Sequence, residues 1–302
     1  MEEYAVVATD LEMKYAKHSV KVALRNLNLK LHKNEMIGLI GANGSGKTTF
    51  FKLCNGALEP TRGKLEILGG DAVGDIRLKE EVIYSMHALP VDGWKADKIL
   101  QSYYETYPHF DLEFARKSLE LFDIPVKKKI ITFSQGMKSI FHFICAIATR
   151  CEVTMLDEPF IGIDIEKRRI AYEILLRDYM ENPRTFIISS HNLSELEAVL
   201  SEMVLIDHGN LIFYEEMDTV RELLFRADGS DGQIADFEKN EKTVYVSKGE
   251  LGCFLIGRGS VESEFAKKVK EAGLSISAVA PEDVCIYLTS QGRERDLECL
   301  WK

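Results

Sequence analysis

The 302-residue chain carries a net charge of -10, with 46% apolar and 28% charged residues. These proportions describe an ordinary globular protein with a sizeable core, and the acidic balance argues against a general binder of nucleic-acid backbones. No run approaches the ~20 apolar residues that span a bilayer, and the acidic start Met1-Glu2-Glu3 lacks the positive charge of a signal peptide.

A cytoplasmic chain is the expectation. The six cysteines are scattered, without a CxxC pair or a neighbouring His, and read as free thiols in a reducing compartment. In the first 35 residues apolar and polar positions alternate, in Ala5-Val6-Val7, in residues 20–24 and in Leu27-Asn28-Leu29-Lys30-Leu31. That alternation predicts short antiparallel strands with one buried face. Met36-Ile37-Gly38-Leu39-Ile40 is a continuous apolar run, expected of a strand buried on both faces. A glycine-rich stretch follows, then a predicted helix over residues 47–55 that stops at Gly56. Residues 64–68 read as a further strand.

Residues 95–128 turn helical, punctuated by Pro108 and Pro125. Residues 153–156 and 185–189 are buried strands that end in polar loops, the layout of a parallel sheet with crossover helices. A last strand over residues 203–206 leads through the turn Asp207-His208-Gly209-Asn210 into Leu211-Ile212-Phe213-Tyr214. Beyond Leu224 the composition shifts. Residues 227–232 read as a polar linker, followed by strands at 243–246 and 253–256, a helix near 262–272 and a strand near 284–288.

The chemistry begins at Gly41-Ala42-Asn43-Gly44-Ser45-Gly46-Lys47-Thr48, a complete G-x-x-x-x-G-K-[ST] pattern, with Thr49 after it. Glycines let successive backbone N–H groups curl around phosphate oxygens. The helix that starts near Lys47 aims its positive end at the anion. Lys47 is expected to neutralise the β and γ phosphates of a nucleotide, and the Thr48 hydroxyl to ligate Mg²⁺.

Val153-Thr154-Met155-Leu156-Asp157-Glu158 is an apolar strand that ends in two acids. Asp157 is expected beside the metal, holding it directly or through water. Glu158 is expected nearer the γ phosphate, orienting or deprotonating the attacking water. His191 closes another core strand, placed to contact that phosphate or that water.

In order and spacing these pieces resemble the nucleotide-binding subunits of ATP-binding cassette (ABC) transporters, from about Tyr4 to about Tyr214. The resemblance implies that Tyr15 stacks on adenine, that residues 41–49 are the Walker A loop, and that residues 155–159 are Walker B with Glu158 catalytic. It implies that Asp164 belongs to the D-loop and that His191 is the switch histidine. The signature LSGGQ reads here Phe133-Ser134-Gln135-Gly136-Met137. Ser134 and Gly136 keep the groups that contact the γ phosphate bound by an opposing chain, whereas Gln135 and Met137 depart from the pattern. His87 stands where the family has a metal-binding glutamine.

The implied fold is an α/β P-loop cassette over residues 1–224. It has an N-terminal antiparallel β-subdomain and a helical subdomain at about 90–150, with a small α+β accessory domain over 225–302. The implied function is an ATP-hydrolysing subunit, peripheral on the inner face of the cell membrane. It would form a head-to-tail dimer with itself or a homologous ATPase subunit and power a separately encoded integral-membrane permease. The aromatic group Tyr103, Tyr104, Tyr107 and Phe110 is expected either to face that permease or to fill the helical subdomain. The competing reading is a soluble ABC-type ATPase acting on ribosomes or nucleic acid. Such proteins usually carry two cassettes, coiled coils or basic segments, and this chain has none of these.

Overall fold

The computed structural model describes residues 3–15, 21–86, 93–191, 193–194, 196–249 and 252–289. The chain divides into two compact units, Met1–His191 with Ala198–Leu211, and Asn192–Glu197 with Ile212–Lys302. The sequence reading set its divide at residue 224.

The first unit opens with β1 (Tyr4–Tyr15) and β2 (Lys21–His32), paired antiparallel. They are longer than the expected short strands, because β1 breaks its register several times and continues past each irregularity. Next come β3 (Met36–Ile40), α1 (Lys47–Cys54), β4 (Arg62–Ile67), β5 (Gly70–Asp71), α2 (Leu78–Glu81) and β6 (Val82–Ser85). The antiparallel sheet has the order β2-β1-β4-β5.

Two amphipathic helices follow, α3 (Ala96–Thr106) and α4 (Leu112–Leu121), the latter capped by Asp111, which accepts from Phe114 N at 2.8 Å. Tyr103 lies 5.7 Å, ring to ring, from both Tyr107 and Phe110. Phe110 is buried while Tyr104 is exposed. Three of the four aromatic residues therefore pack together, and Tyr104 faces outward.

Ser134 caps α5 (Gln135–Ala148), whose second half is buried on every side. Its apolar run is nine residues, too short to span a bilayer, and among the described residues no helix is long and apolar enough to do so. After it come β7 (Val153–Asp157), α6 (Ile165–Glu181), β8 (Thr185–Ser190) and β9 (Glu202–Asp207). Strands β9, β3, β8, β7 and β6 lie side by side in that order, all parallel. Every residue of β3 is buried, as expected of a strand covered on both faces.

At the far edge of this core a buried carboxylate joins two helices and a strand. Asp178 of α6 meets the Arg150 guanidinium, which follows α5, and accepts from Arg184 Nη2 at 2.7 Å, just before β8. Burial pulls Arg184 down to about 10. Nη2 of Arg184 also donates to Ile147 O at 2.8 Å.

Beyond its short segment Asn192–Glu197, the second unit runs from within β10 (Asn210–Glu216) through α7 (Met217–Arg221) and β11 (Leu224–Gly229). Beyond lie α8 (Asp231–Ala235), β12 (Thr243–Gly249), β13 (Gly252–Arg258), α9 (Glu264–Glu271), β14 (Ser275–Ala278) and α10 (Pro281–Thr289). From β11 onward the order is β-α-β-β-α-β with the sheet order β12-β13-β11-β14, all antiparallel, the ferredoxin-like arrangement.

Two expectations are corrected here. Residues 227–232, read as a linker, are the end of an inner strand and the start of α8. Ala227 is fully buried, and Ser230 with Gln233 forms a capping box. The run at 284–288, read as a strand, is helical. It follows Pro281, with Glu282 and Asp283 in its first turn, a helix-start pattern that outweighs a short apolar run.

Replacing Asp178 by Ala leaves two arginines without their shared counter-charge. Such a break is expected to cost about 3 kcal/mol, read as a lower denaturation midpoint of the first unit.

Candidate functional site

The P-loop strand β3 ends at Ile40, and the chain curls through residues 41–46 before α1 begins. At the helix start, Gly46 has φ 120°, and a Cβ there would sit 2.7 Å from Ala23 O and 2.8 Å from Leu24 Cδ2. Only glycine fits both the backbone and the space. No side chain caps α1, and its first turn holds no acidic residue. Its first N–H groups are therefore left to an anion.

Lys47 is almost fully buried, and its Nζ donates to Gly41 O at 2.6 Å and Ala42 O at 3.3 Å. Burial lowers its pKa, while the charges of Glu158 and Asp157 act to raise it. Tyr15 OH lies 3.3 Å from Thr49 Oγ1, which brings the end of β1 to the first turn of α1. Tyr15, Asn43, Gly44, Gly46, Lys47, Thr48, Thr49, Asp157 and Glu158 line one open pocket, together with Lys21 and Ala23. Gly41 and Ser45 form the inner side of the loop. The Ser45 backbone N–H donates to Ala42 O, and a Cβ on Gly41 would meet Ser45 Oγ at 2.6 Å.

The parallel register brings the acids to this loop. Asp157 Oδ2 accepts from Thr48 Oγ1 and from Tyr84 OH, each at 2.9 Å, and Oδ1 accepts from Ser189 Oγ at 2.6 Å. Burial, followed by the Asp157 charge, pushes the Tyr84 phenol well above its usual range, so it stays a donor. Glu158 follows in the left-handed region at φ 50°, and its N–H donates to Ser189 Oγ at 2.9 Å. Its carboxylate meets His191 Nδ1 at 2.9 Å. A carboxylate only accepts, so this bond requires the Nδ1–H form of the ring.

Three expected residues lie elsewhere in the unit. Ser134 accepts from Met137 N at 3.2 Å as the cap of α5, and Asp164 accepts from Lys167 N at 2.9 Å as the cap of α6. Gly136 faces the loop between Glu158 and Asp164, where a Cβ would come 2.3 Å from Gly162 O. Ser139 Oγ donates to Ile161 O at 2.7 Å in the same seam. None of these lines the P-loop pocket. His87 falls outside the described residues.

Tyr84 and Ser189 belong to the site and were not singled out in the sequence. The signal for Ser189 was a hydroxyl in the polar pair that ends an apolar run, two residues before His191. Its register partner across the sheet is Asp157. For Tyr84 there was none, because a tyrosine near a strand end is ordinary.

A phosphate-binding loop, a strand-end acid bonded to its Thr, and a second acid paired with a histidine define a P-loop ATPase. A family model for ABC transporters matches residues 24–161. The chain is 30% identical over 208 residues to the uncharacterized ABC transporter ATP-binding protein YcbN of Bacillus subtilis, covering 67% of each chain. It is 26% identical over 221 residues to the ABC transporter ATP-binding protein YtrB of the same organism, covering 72% of this chain and 76% of that one. Among solved structures, an ATP-binding subunit of an ABC transporter superposes with a TM-score of 0.63 at 23% identity, over 72% of this chain and 92% of the other. The chain belongs to the family of ABC transporter ATP-binding proteins, an ATPase family.

Gly136→Ala forces a methyl group onto the Gly162 carbonyl. It is expected to reduce ATP turnover at least about tenfold and to lower the thermal midpoint, checked by phosphate release and by melting.

Proposed function

We propose that the chain is the ATP-hydrolysing subunit of a transporter whose membrane-spanning part is a separate polypeptide. The observation that carries this reading is that Thr48, Asp157 and Glu158 line one pocket, with His191 bonded to Glu158, at or just after the ends of the neighbouring parallel strands β3, β7 and β8.

ATP enters with its phosphates over the start of α1, where Lys47 and the loop N–H groups offset their charge. Tyr15 offers a ring for adenine. Thr48 and Asp157 are one hydroxyl and one carboxylate, a donor set suited to Mg²⁺ shared with phosphate oxygens. Among the described residues no cluster of three or more His, Cys, Asp or Glu could hold a metal unaided. An ion held there by Thr48 and Asp157 would neutralise charge on the phosphates.

Glu158 takes a proton from water as its oxygen bonds to the γ phosphorus. The bond from that phosphorus to the β–γ bridging oxygen breaks, leaving ADP and inorganic phosphate. His191 holds the Glu158 carboxylate toward the reacting water through its Nδ1–H.

The signature residues Ser134 and Gly136 act in trans. Their helix start lies away from the chain's own pocket, which supports a head-to-tail dimer with ATP between one P-loop and the partner's α5. The relative MJ0796 is known as a dimeric cassette, and as a dimer bound to ADP and phosphate. That likeness, at 17% and 16% identity, bears on the fold. Closure and release of the dimer pass to the permease through the helical segment 95–128, with exposed Tyr104 on its surface.

Glu158→Gln is expected to retain ATP binding, to lose turnover by about a hundredfold or more, and to accumulate an ATP-bound dimer on size exclusion. Unchanged phosphate release would remove Glu158 from the role of base. Lys47→Ala is expected to weaken ATP affinity at least about tenfold, and calorimetry with an unaltered affinity would count against the phosphate cradle. Tagged chain purified from native membranes should carry a polytopic membrane protein. Recovery of ribosomes or DNA in its place would overturn the transporter reading.

A further inference from the structure

Glu158 is the site's non-glycine residue with a left-handed backbone, at φ 50°. Such a conformation is strained for an ordinary side chain and persists where the surroundings enforce it. The enforcing group is visible. Ser189 is fully buried in β8, and its hydroxyl faces the junction between the two acids.

A serine hydroxyl has one hydrogen to give and two lone pairs to offer. Here the hydrogen goes to Asp157 Oδ1 at 2.6 Å, because a carboxylate can only accept. A lone pair then receives the Glu158 N–H at 2.9 Å. One side chain thus fixes the carboxylate of the first acid and the backbone of the second. Without the hydroxyl, the Glu158 N–H loses this acceptor. Rotation about φ toward the right-handed region relieves the backbone and swings the Glu158 side chain off His191.

We propose that Ser189 is a positioning residue for hydrolysis, holding Glu158 in the left-handed conformation that aims its carboxylate at the attacking water. The inference rests on the reading of Glu158 as the base. Ser189 is buried and does not line the pocket, so its loss is expected to affect the chemical step and to leave nucleotide binding at the P-loop in place.

The test compares Ser189→Ala with the isosteric pair Ser189→Thr and Ser189→Val in the full chain. Steady-state ATP hydrolysis, affinity for a fluorescent ATP analogue and the thermal midpoint are read for each. Ser189→Ala and Ser189→Val are expected to lower kcat about tenfold, with nucleotide affinity and KM within about twofold of the parent. Ser189→Thr, which keeps the hydroxyl in the shape of valine, is expected to stay within about threefold.

Three results overturn the inference: parental kcat in Ser189→Val, equal losses in the Thr and Val variants, or losses shared equally between kcat and nucleotide affinity. Because the Thr and Val variants share one shape, the comparison holds even if Ser189→Ala does not fold. Glu158→Gln run alongside separates the two levels. Turnover that survives it removes the base reading beneath the inference. Turnover lost there but kept in Ser189→Val removes the role of Ser189 alone.

Discussion

A carboxylate at the end of a buried strand must find donors, and in this chain the donors to Asp157 come from three different segments. Thr48 reaches it from α1, Tyr84 from β6 and Ser189 from β8. Each of these bonds involves an ionised acceptor and is correspondingly stronger than a neutral one. Together they fix the spacing between the phosphate loop, the strand of acids and the strand that carries His191. The parallel register of β6, β7 and β8 has to be right to within one residue for the Tyr84 and Ser189 hydroxyls to converge on Asp157, since a slip of one would turn each side chain to the other face. The active-site arrangement and the core sheet are thus specified by the same pairing.

A second coupling runs along the segment after Glu158. The loop from Glu158 to Asp164 presses on the start of α5 through Gly162 against Gly136 and through the Ile161 carbonyl against Ser139. Its far end caps α6 through Asp164. Five residues therefore separate the acid that faces the chain's own P-loop from a residue that caps the neighbouring helix, with α5 packed against the stretch between. In a head-to-tail pair, this stretch would be where events at one nucleotide are felt at the other.

Much of this was legible in the sequence because the relevant chemistry is local. Gly41 to Thr48 encodes its own geometry, since the glycines, the lysine and the hydroxyl sit within one loop and one helical turn. Asp157, Glu158 and His191 were readable because apolar strands ended in polar residues. What sequence could not supply was lateral. Tyr84 and Ser189 matter through the strands beside them, and nothing in their immediate neighbours records that Asp157 lies across the sheet. The second unit was misread for a related reason. Ala227 to Gly229 has the polar, glycine-containing look of a linker, yet it is an inner strand whose Ala227 is buried in a core with Phe225, Leu255 and Phe265. Conversely, the short apolar run at 284–288 fits strand or helix equally, and the helix-start residues at 281–283 decided it.

The left-handed backbone at Glu158 also bears on how this protein changes over generations. That conformation is one that glycine or asparagine adopts with less strain than glutamate does. Selection for stability alone would erode the acid, rewarding replacements that firm the fold while silencing it. On the proposed reading of Glu158 as the base in a paired assembly, a homologue that carries glycine or asparagine there would be a firmer protein and a poorer engine, kept for holding nucleotide while its partner does the work.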